Sequence, residues 1–187
     1  MVRLEVMTSS LCSGKCIICP YPDSYYAKNF SQMSIEMFTD IIKKYPKIDV
    51  LSMYLFNDPF LEPRLFELMD IARKTSDVKL FSLSTNLSFI PENIERLKEF
   101  PHELWVSFHG ANKETYEKIM GLNYENAMKN IIKLNSMGFK FRIRGAGISR
   151  TGKTEFFSEG EFFNHFNGIG ISQELEYFSF HDRAGIS

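Results

Sequence analysis

Phe139-Lys140-Phe141-Arg142-Ile143-Arg144 decides the architecture of this chain. Apolar and basic residues alternate with the period of a β-strand, so Phe139, Phe141 and Ile143 share one face and Lys140, Arg142 and Arg144 the other. An open sheet covered by helices on both sides has strands that are apolar throughout. One greasy face and one polar face describe a curved sheet instead, with helices outside and a polar cavity inside. Two other segments repeat the pattern: Ser82, Ser84 and Asn86 oppose Phe81 and Leu83, and Glu174 and Glu176 oppose Leu175 and Tyr177.

Around this strand, β-type runs alternate with helical patterns along the chain. The strand candidates are Val2–Met7, Val50–Asn57, Val78–Ser84, Leu104–Phe108, Phe139–Arg144 and Leu175–Phe180. Ser34 is placed to cap a helix carrying Ile35, Phe38, Ile41 and Ile42, and Pro63 and Pro91 stand at first helical positions of two more. Asn112 opens a helix that stops at Gly121, and Asn123 opens one closed by Gly138. Residues 149–170 read as a loop plus one helix, with Gly160 interrupting the pattern. Strict βα alternation implies parallel strands joined by crossover helices. The expected fold is therefore α/β, with six parallel strands in the curved sheet of a barrel or part-barrel and helices outside.

The 187 residues suit one domain with one core, and 44 % of them are hydrophobic. Lys and Arg number 22 against 23 Asp and Glu, a net charge of −1, so there is no basic footprint for nucleic acid. No apolar run reaches the roughly 20 residues of a membrane span, and Arg3 and Glu5 stand where a signal peptide is apolar. The chain reads as soluble and cytoplasmic.

All three cysteines fall in one stretch after the first strand, Cys12-Ser-Gly-Lys-Cys16-Ile-Ile-Cys19. They are too close and too few for a disulfide framework, and clustered thiolates are soft ligands for zinc, Cu(I) or iron–sulfur clusters. Structural zinc and [4Fe–4S] clusters both normally take four protein ligands, so three cysteines leave one coordination position open. A zinc knuckle completed by a distant histidine, in a non-catalytic binding module, is the alternative.

The C-x3-C-x2-C spacing resembles the radical S-adenosylmethionine (radical SAM) superfamily. That resemblance implies a partial (β/α)6 barrel of the TIM type, with a parallel sheet and outer helices, in which Cys12, Cys16 and Cys19 hold three irons of a [4Fe–4S] cluster and S-adenosylmethionine chelates the fourth. Further stretches match along the chain. Phe56-Asn57-Asp58-Pro59 is similar to the family's Gly-Gly-Glu-Pro segment, with bulkier residues for the glycines and the shorter Asp58 for glutamate. Ser84-Thr85-Asn86-Leu87 resembles its Thr-Asn-Gly turn. Val106-Ser107-Phe108-His109-Gly110 resembles Val-Ser-Ile-Asp-Gly, with His109 where the family often has Asp. His181-Asp182-Arg183-Ala184-Gly185 resembles a stretch common in peptide-modifying members, although no cysteine follows Cys19 to hold auxiliary clusters.

The resemblance also implies cofactor-binding roles. Asn57 and Asp58 would receive the methionine amino group, and Ser107 and Arg144 would bind its carboxylate or the ribose. Ser84 and Asn86 lie beside the ribose, and Ile18 and Phe180 are apolar walls for the adenine. In parallel barrels such residues collect at the carboxyl ends of the strands, which is where all of these fall. The expected activity is reductive cleavage of S-adenosylmethionine to a 5′-deoxyadenosyl radical, fed by an electron donor such as flavodoxin or ferredoxin. The substrate is a small molecule or a peptide, and residues 1–187 form a core domain that ends where the family has one more helix.

A competing signal is Gly147-Ile-Ser-Arg-Thr-Gly152-Lys153-Thr154, which satisfies the phosphate-loop pattern after a strand. It makes nucleotide binding the other alternative. A working phosphate loop leads straight into a helix, and Glu155-Phe-Phe-Ser-Glu-Gly160 is a poor helix start.

Overall fold

The computed structural model describes residues 1–147, 155–171 and 173–177. Among these the strands are β1 (Arg3–Glu5), β2 (Lys47–Ile48), β3 (Val50–Ser52), β4 (Asp77–Val78), β5 (Phe81–Thr85), β6 (His102–Ser107), β7 (Arg142–Gly145) and β8 (Glu174–Tyr177). The α-helices are α1 (Tyr25–Lys28), α2 (Ile35–Lys43), α3 (Leu65–Thr75), α4 (Lys113–Met120), α5 (Tyr124–Ser136) and α6 (Glu159–Asn167). The chain divides into two compact units. One comprises Met1–Cys12, Tyr25–Thr85 and Phe89–Leu104; the other comprises Ser13–Ser24, Asn86–Ser88 and the described residues from Trp105 onward.

In the first unit β1 pairs with β3 and β3 with β5, both parallel, and the start of β6 follows β5 in the sheet. Residues opposite one another in parallel strands share a face. Leu4, Leu51 and Phe81 therefore form an apolar row, and Glu5, Ser52 and Ser82 a polar one. Helices α2 and α3 pack on each other, and Phe38 and Ile42 of α2 and Leu68 and Met69 of α3 are fully buried. Burying each such side chain contributes about 1.5–3 kcal/mol. Ser52 and Ser82 are also fully buried, and their hydroxyls have no hydrogen-bond partner among the described residues. A second, two-stranded parallel ladder joins β2 to β4. Each of its strands has only two residues, too few for alternation to be read from sequence.

In the second unit the end of β6 pairs with β7 and β7 with β8, again parallel. Val106, Ile143 and Leu175 align on one face. Trp105, Arg142 and Glu174 align on the other, as do Ser107, Arg144 and Glu176. The two-faced reading of these strands is what the structure contains, except that Trp105 sits on the polar face. Behind the apolar face Phe108 packs against Tyr116, ring centroids 4.3 Å apart, and edge-on to Phe166 at 5.1 Å.

The caps read from sequence are formed. Ser34 Oγ accepts from the Met37 amide at 3.1 Å and Asn123 Oδ1 from Asn126 at 2.7 Å. Asn112 and Thr115 form a reciprocal capping box, and Gly121 closes α4 at φ +63°. Three expectations need correction. The strand expected over Val50–Asn57 is only Val50–Ser52, because Asn57 and Asp58 bend the chain with side-chain-to-backbone hydrogen bonds. The helix expected after Pro91 is a 3-10 helix, Ile94–Glu99. Glu155–Gly160 is not a poor helix start: Ser158 and Glu161 form a capping box that launches α6, with Gly160 in its first turn.

Candidate functional site

The cysteine stretch is held by its backbone. The amides of Lys15 and Ile17 donate to the carbonyls of Met120 and Ile119, at 3.0 and 2.9 Å. Those carbonyls belong to the last turn of α4, where helix geometry leaves them without intrahelical donors. Loop and helix end thus satisfy each other. Gly121 is required there, because its left-handed φ strains other residues and a Cβ would sit 3.0 Å from Lys15 Cβ.

Cys16 Sγ lies 3.7 Å from the Met120 carbonyl oxygen and 3.6 Å from Met120 Sδ. The Cys19 amide donates to the Cys16 carbonyl at 3.0 Å, and the Tyr21 amide donates to Cys19 Sγ at 3.4 Å. An amide aimed at sulfur favours the thiolate, the form that binds metal. All three cysteines are free thiols of intermediate exposure, Cys12 in the first unit and Cys16 and Cys19 in the second. Soft, undisulfided donors of this kind suit an iron–sulfur cluster by their chemistry, whereas among the described residues no group of three or more His, Cys, Asp or Glu side chains is gathered as a metal site. Ile18 is buried, whereas Ile17 beside it is 48 % exposed.

Asn86 shapes the turn after β5, a role its position in the sequence allows beside ribose binding. Its Oδ1 accepts from the Ser88 amide at 2.9 Å and its Nδ2 donates to Ser13 Oγ at 3.2 Å. Ser13 and Ser88 hydroxyls are 2.6 Å apart. From α5, Asn126 and Asn130 donate to the carbonyls of Ser88 and Leu87. Leu87, in the place of the family's turn glycine, takes φ +56°, which costs a non-glycine residue about 1–2 kcal/mol. These clamps hold it there.

In the first unit Asp58 is buried and fully engaged in local structure. Its Oδ1 accepts from the Phe60 amide and its Oδ2 from Thr85 Oγ1, both at 3.0 Å. Its own amide donates to the Leu11 carbonyl at 2.7 Å, one residue before Cys12. Asn57 Oδ1 accepts from the Leu55 amide at 3.0 Å, and its buried Nδ2 has no partner among the described residues. Asn57 thus offers a buried donor at Nδ2 and a second lone pair at Oδ1. Ser84, on β5, is of intermediate exposure.

Ser107 and Arg144 are brought side by side by the β6–β7 register. Arg144 does not simply point into a cavity. Its Nη2 donates to Glu176 Oε2 at 3.2 Å, and its guanidinium lies 3.9 Å from the centre of the Trp105 ring. Arg142 likewise donates to Glu174 at 2.6 Å and lies 4.9 Å from the same ring. His109 is buried at 9 % exposure, and its Nδ1 accepts from the Ala146 amide at 3.0 Å. Burial first, and the positive charge of Arg144 second, push its pKa from 6.5 down to about 4. Phe180, the His181–Gly185 stretch and residues 148–154 of the phosphate-loop pattern lie outside the described residues. Gly147 is tightly packed, since a Cβ there would lie 2.1 Å from the Phe157 carbonyl oxygen.

Residues 6–150 match the radical SAM superfamily, and the chain belongs to it. Its members are enzymes whose cofactors are a [4Fe–4S] cluster and S-adenosylmethionine. The chain is 25 % identical over 183 residues to the GTP 3′,8-cyclase of Aquifex aeolicus (strain VF5), covering 93 % of this chain and 56 % of that protein. It thus spans little more than half of that relative. Streptococcus suis SuiB bound to S-adenosylmethionine superposes with a TM-score of 0.70 at 14 % identity, over 98 % of this chain and 42 % of SuiB. SuiB bound to its precursor peptide SuiA gives the same score over 96 % and 39 %. The FeFe-hydrogenase maturase HydG of Carboxydothermus hydrogenoformans gives 0.64 at 13 % identity, over 97 % and 45 %. These likenesses show the fold, α/β with a mainly parallel sheet, of the part-barrel class expected. No helix among the described residues is long and apolar enough to cross a membrane.

Proposed function

We propose that this chain is a radical SAM catalytic core in which Cys12, Cys16 and Cys19 ligate the cluster and the polar strand ends bind S-adenosylmethionine. When bound, the two cofactors together supply reductive cleavage of the sulfonium and a 5′-deoxyadenosyl radical that takes hydrogen from a substrate. The chain's own residues ligate, orient and shield. Lys15 and Ile17 anchor the cysteine stretch to α4, and the Tyr21 amide favours thiolate at Cys19. Ser107 and Arg144 bind the methionine carboxylate, with Glu176 and Trp105 orienting the guanidinium. Asn57 donates to an oxygen of the cofactor, Ser84 and Asn86 stand beside the ribose, and Ile18 and Phe180 form apolar walls.

The observation that carries this reading is the set of three free thiols in the loop after β1, inside the matched region. The substrate class is a peptide or a small molecule. A precursor peptide bound by SuiB and the nucleotide substrate in the name of the cyclase relative support those two classes respectively. The electron donor is a flavodoxin or ferredoxin. We place the protein in the cytoplasm, with residues 1–187 acting as one core domain.

The test is anaerobic reconstitution with iron and sulfide, followed by S-adenosylmethionine and a reductant. A brown [4Fe–4S] chromophore and release of 5′-deoxyadenosine are expected. Cys12→Ala, Cys16→Ala and Cys19→Ala should each abolish both, and retained cleavage in any one overturns the ligand assignment. Zinc without iron–sulfur absorbance in protein purified without oxygen would favour the binding-module alternative. Nucleotide affinity abolished by Lys153→Ala, with dispensable cysteines, would favour the phosphate loop.

A further inference from the structure

We infer that the buried Glu62–Arg64 pair, together with Gln32, is a positioning device for Cys12; this rests on the ligand role proposed above for that cysteine. All of the residues involved lie in the first unit. The stretch that leads to Cys12 leaves the sheet early. β1 ends at Glu5, and the Val6 amide still reaches the Ser52 carbonyl at 2.8 Å. Residues 8–10 are buried at 2 % exposure or less, where backbone groups need partners. Segment 31–33 supplies them. The Met33 amide donates to the Thr8 carbonyl at 2.8 Å, the Ser10 amide to the Ser31 carbonyl at 2.9 Å and the Ser31 amide to Ser10 Oγ at 2.9 Å, around an antiparallel bridge between Ser9 and Gln32.

Burial does not hold that segment, since Ser31 and Gln32 are exposed and lie outside the helices and named strands. Its anchors are side chains that follow the Asp58-Pro59 turn. Arg64 Nη1 donates to the Met33 carbonyl at 3.0 Å, and Gln32 Nε2 donates to Glu62 Oε1 at 3.1 Å. Glu62 in turn accepts from Arg64 Nε at 2.9 Å and from Nη2 at 3.0 Å, a bidentate pairing that fixes the guanidinium with its remaining nitrogen on Met33. The Glu62 side chain is fully buried and that of Arg64 is 21 % exposed, so this is not a loose, solvated pair. From the same connection the Asp58 amide donates to the Leu11 carbonyl at 2.7 Å, immediately before Cys12. Residues 58–64 therefore hold the approach to the first cysteine at two places, one direct and one through segment 31–33. A metal ligand tolerates only a few tenths of an ångström of misplacement, so a fixed approach spares the cluster the cost of ordering Cys12.

The test separates this role from plain stability. Glu62→Leu combined with Arg64→Met fills the buried space with apolar groups and leaves no unpaired charge, so urea unfolding should show a stability near wild type. The double variant lacks both links to segment 31–33. After anaerobic reconstitution with iron and sulfide, amide hydrogen exchange should quicken at Ser10 and Met33, and iodoacetamide should alkylate Cys12 at least about tenfold faster than in wild type, ahead of Cys16 and Cys19. Gln32→Ala removes one link at an exposed side chain and should raise Cys12 alkylation about threefold with an unchanged urea midpoint; it decides the matter if the double variant does not fold. Unchanged exchange at Ser10 and Met33, alkylation of Cys12 at the wild-type rate, or equal acceleration at all three cysteines would each overturn the inference and leave the pair a purely structural role. Wild-type protein that takes up no iron–sulfur cluster would instead overturn the proposed function.

Discussion

Acid should destabilise this protein through His109 in particular. In the folded chain the imidazole has a pKa of about 4, against 6.5 when unfolded. Between those values the unfolded chain binds a proton that the folded chain refuses. The stabilisation is therefore complete above about pH 6.5, is lost as the pH falls toward about 4, and changes no further below that. At about 1.36 kcal/mol per pH unit, the whole gap corresponds to roughly 3 kcal/mol, of which about 2 kcal/mol is lost between about pH 7 and about pH 5. Urea unfolding followed by circular dichroism at those two pH values measures it. His109→Gln removes the titration but keeps an acceptor for the Ala146 amide, so its stability should fall by about 2 kcal/mol less than that of wild type. His165, also pushed down by burial, and the lowered carboxylates Asp49, Glu125 and Glu161 are common to both proteins and cancel in the difference. Equal acid sensitivity in the two proteins would refute a buried, neutral His109.

Three further outcomes are expected. Glu62 is fully buried and accepts from Arg64 Nε and Nη2 at 2.9 and 3.0 Å and from Gln32 at 3.1 Å, so Glu62→Ala should cost about 3–5 kcal/mol in urea unfolding. Asp58→Ala removes the cap on Phe60 and the acceptor of the Thr85 hydroxyl's 3.0 Å hydrogen bond; a loss of about 1–3 kcal/mol is expected by the same measurement, and one below about 0.5 kcal/mol would show that neither bond matters. Gly121→Ala strains the left-handed end of α4 by about 1–2 kcal/mol and pushes on Lys15, so iron bound per chain after reconstitution should fall. Iron content equal to wild type would mean that the cysteine stretch does not depend on that helix end.

Much of the site was readable because its signals are local. Three thiols within eight residues, a proline-marked turn after the second expected strand and a Ser-Phe-His-Gly strand end need no tertiary information to be noticed. The roles of individual residues were less readable. Asn86 looked like a cofactor contact, yet its hydrogen bonds reach Ser13 as well as Ser88, and a partner 73 residues away leaves no trace in local pattern. The Leu55 amide that donates to the Asn57 oxygen is likewise set by the local bend and not by any residue pattern. Arg144 is expected to bind the cofactor's carboxylate or ribose, and Glu176 becomes its neighbour only through the β7–β8 register. The Glu62–Arg64 pair went unnoticed because adjacent charges in a sequence are usually solvated, and only burial distinguishes this one.

By itself the sequence determined the parallel α/β order, the helix starts at Ser34, Asn112 and Asn123, and the two faces of the strands. Each of these depends on steric and hydrogen-bonding preferences within a few residues. Tertiary structure alone decided that the cysteine stretch leans on the end of α4, that Trp105 lies beneath two guanidiniums, and that His109 is held neutral. Those outcomes depend on desolvation and on the register between strands distant in the chain, and both are properties of the assembled fold.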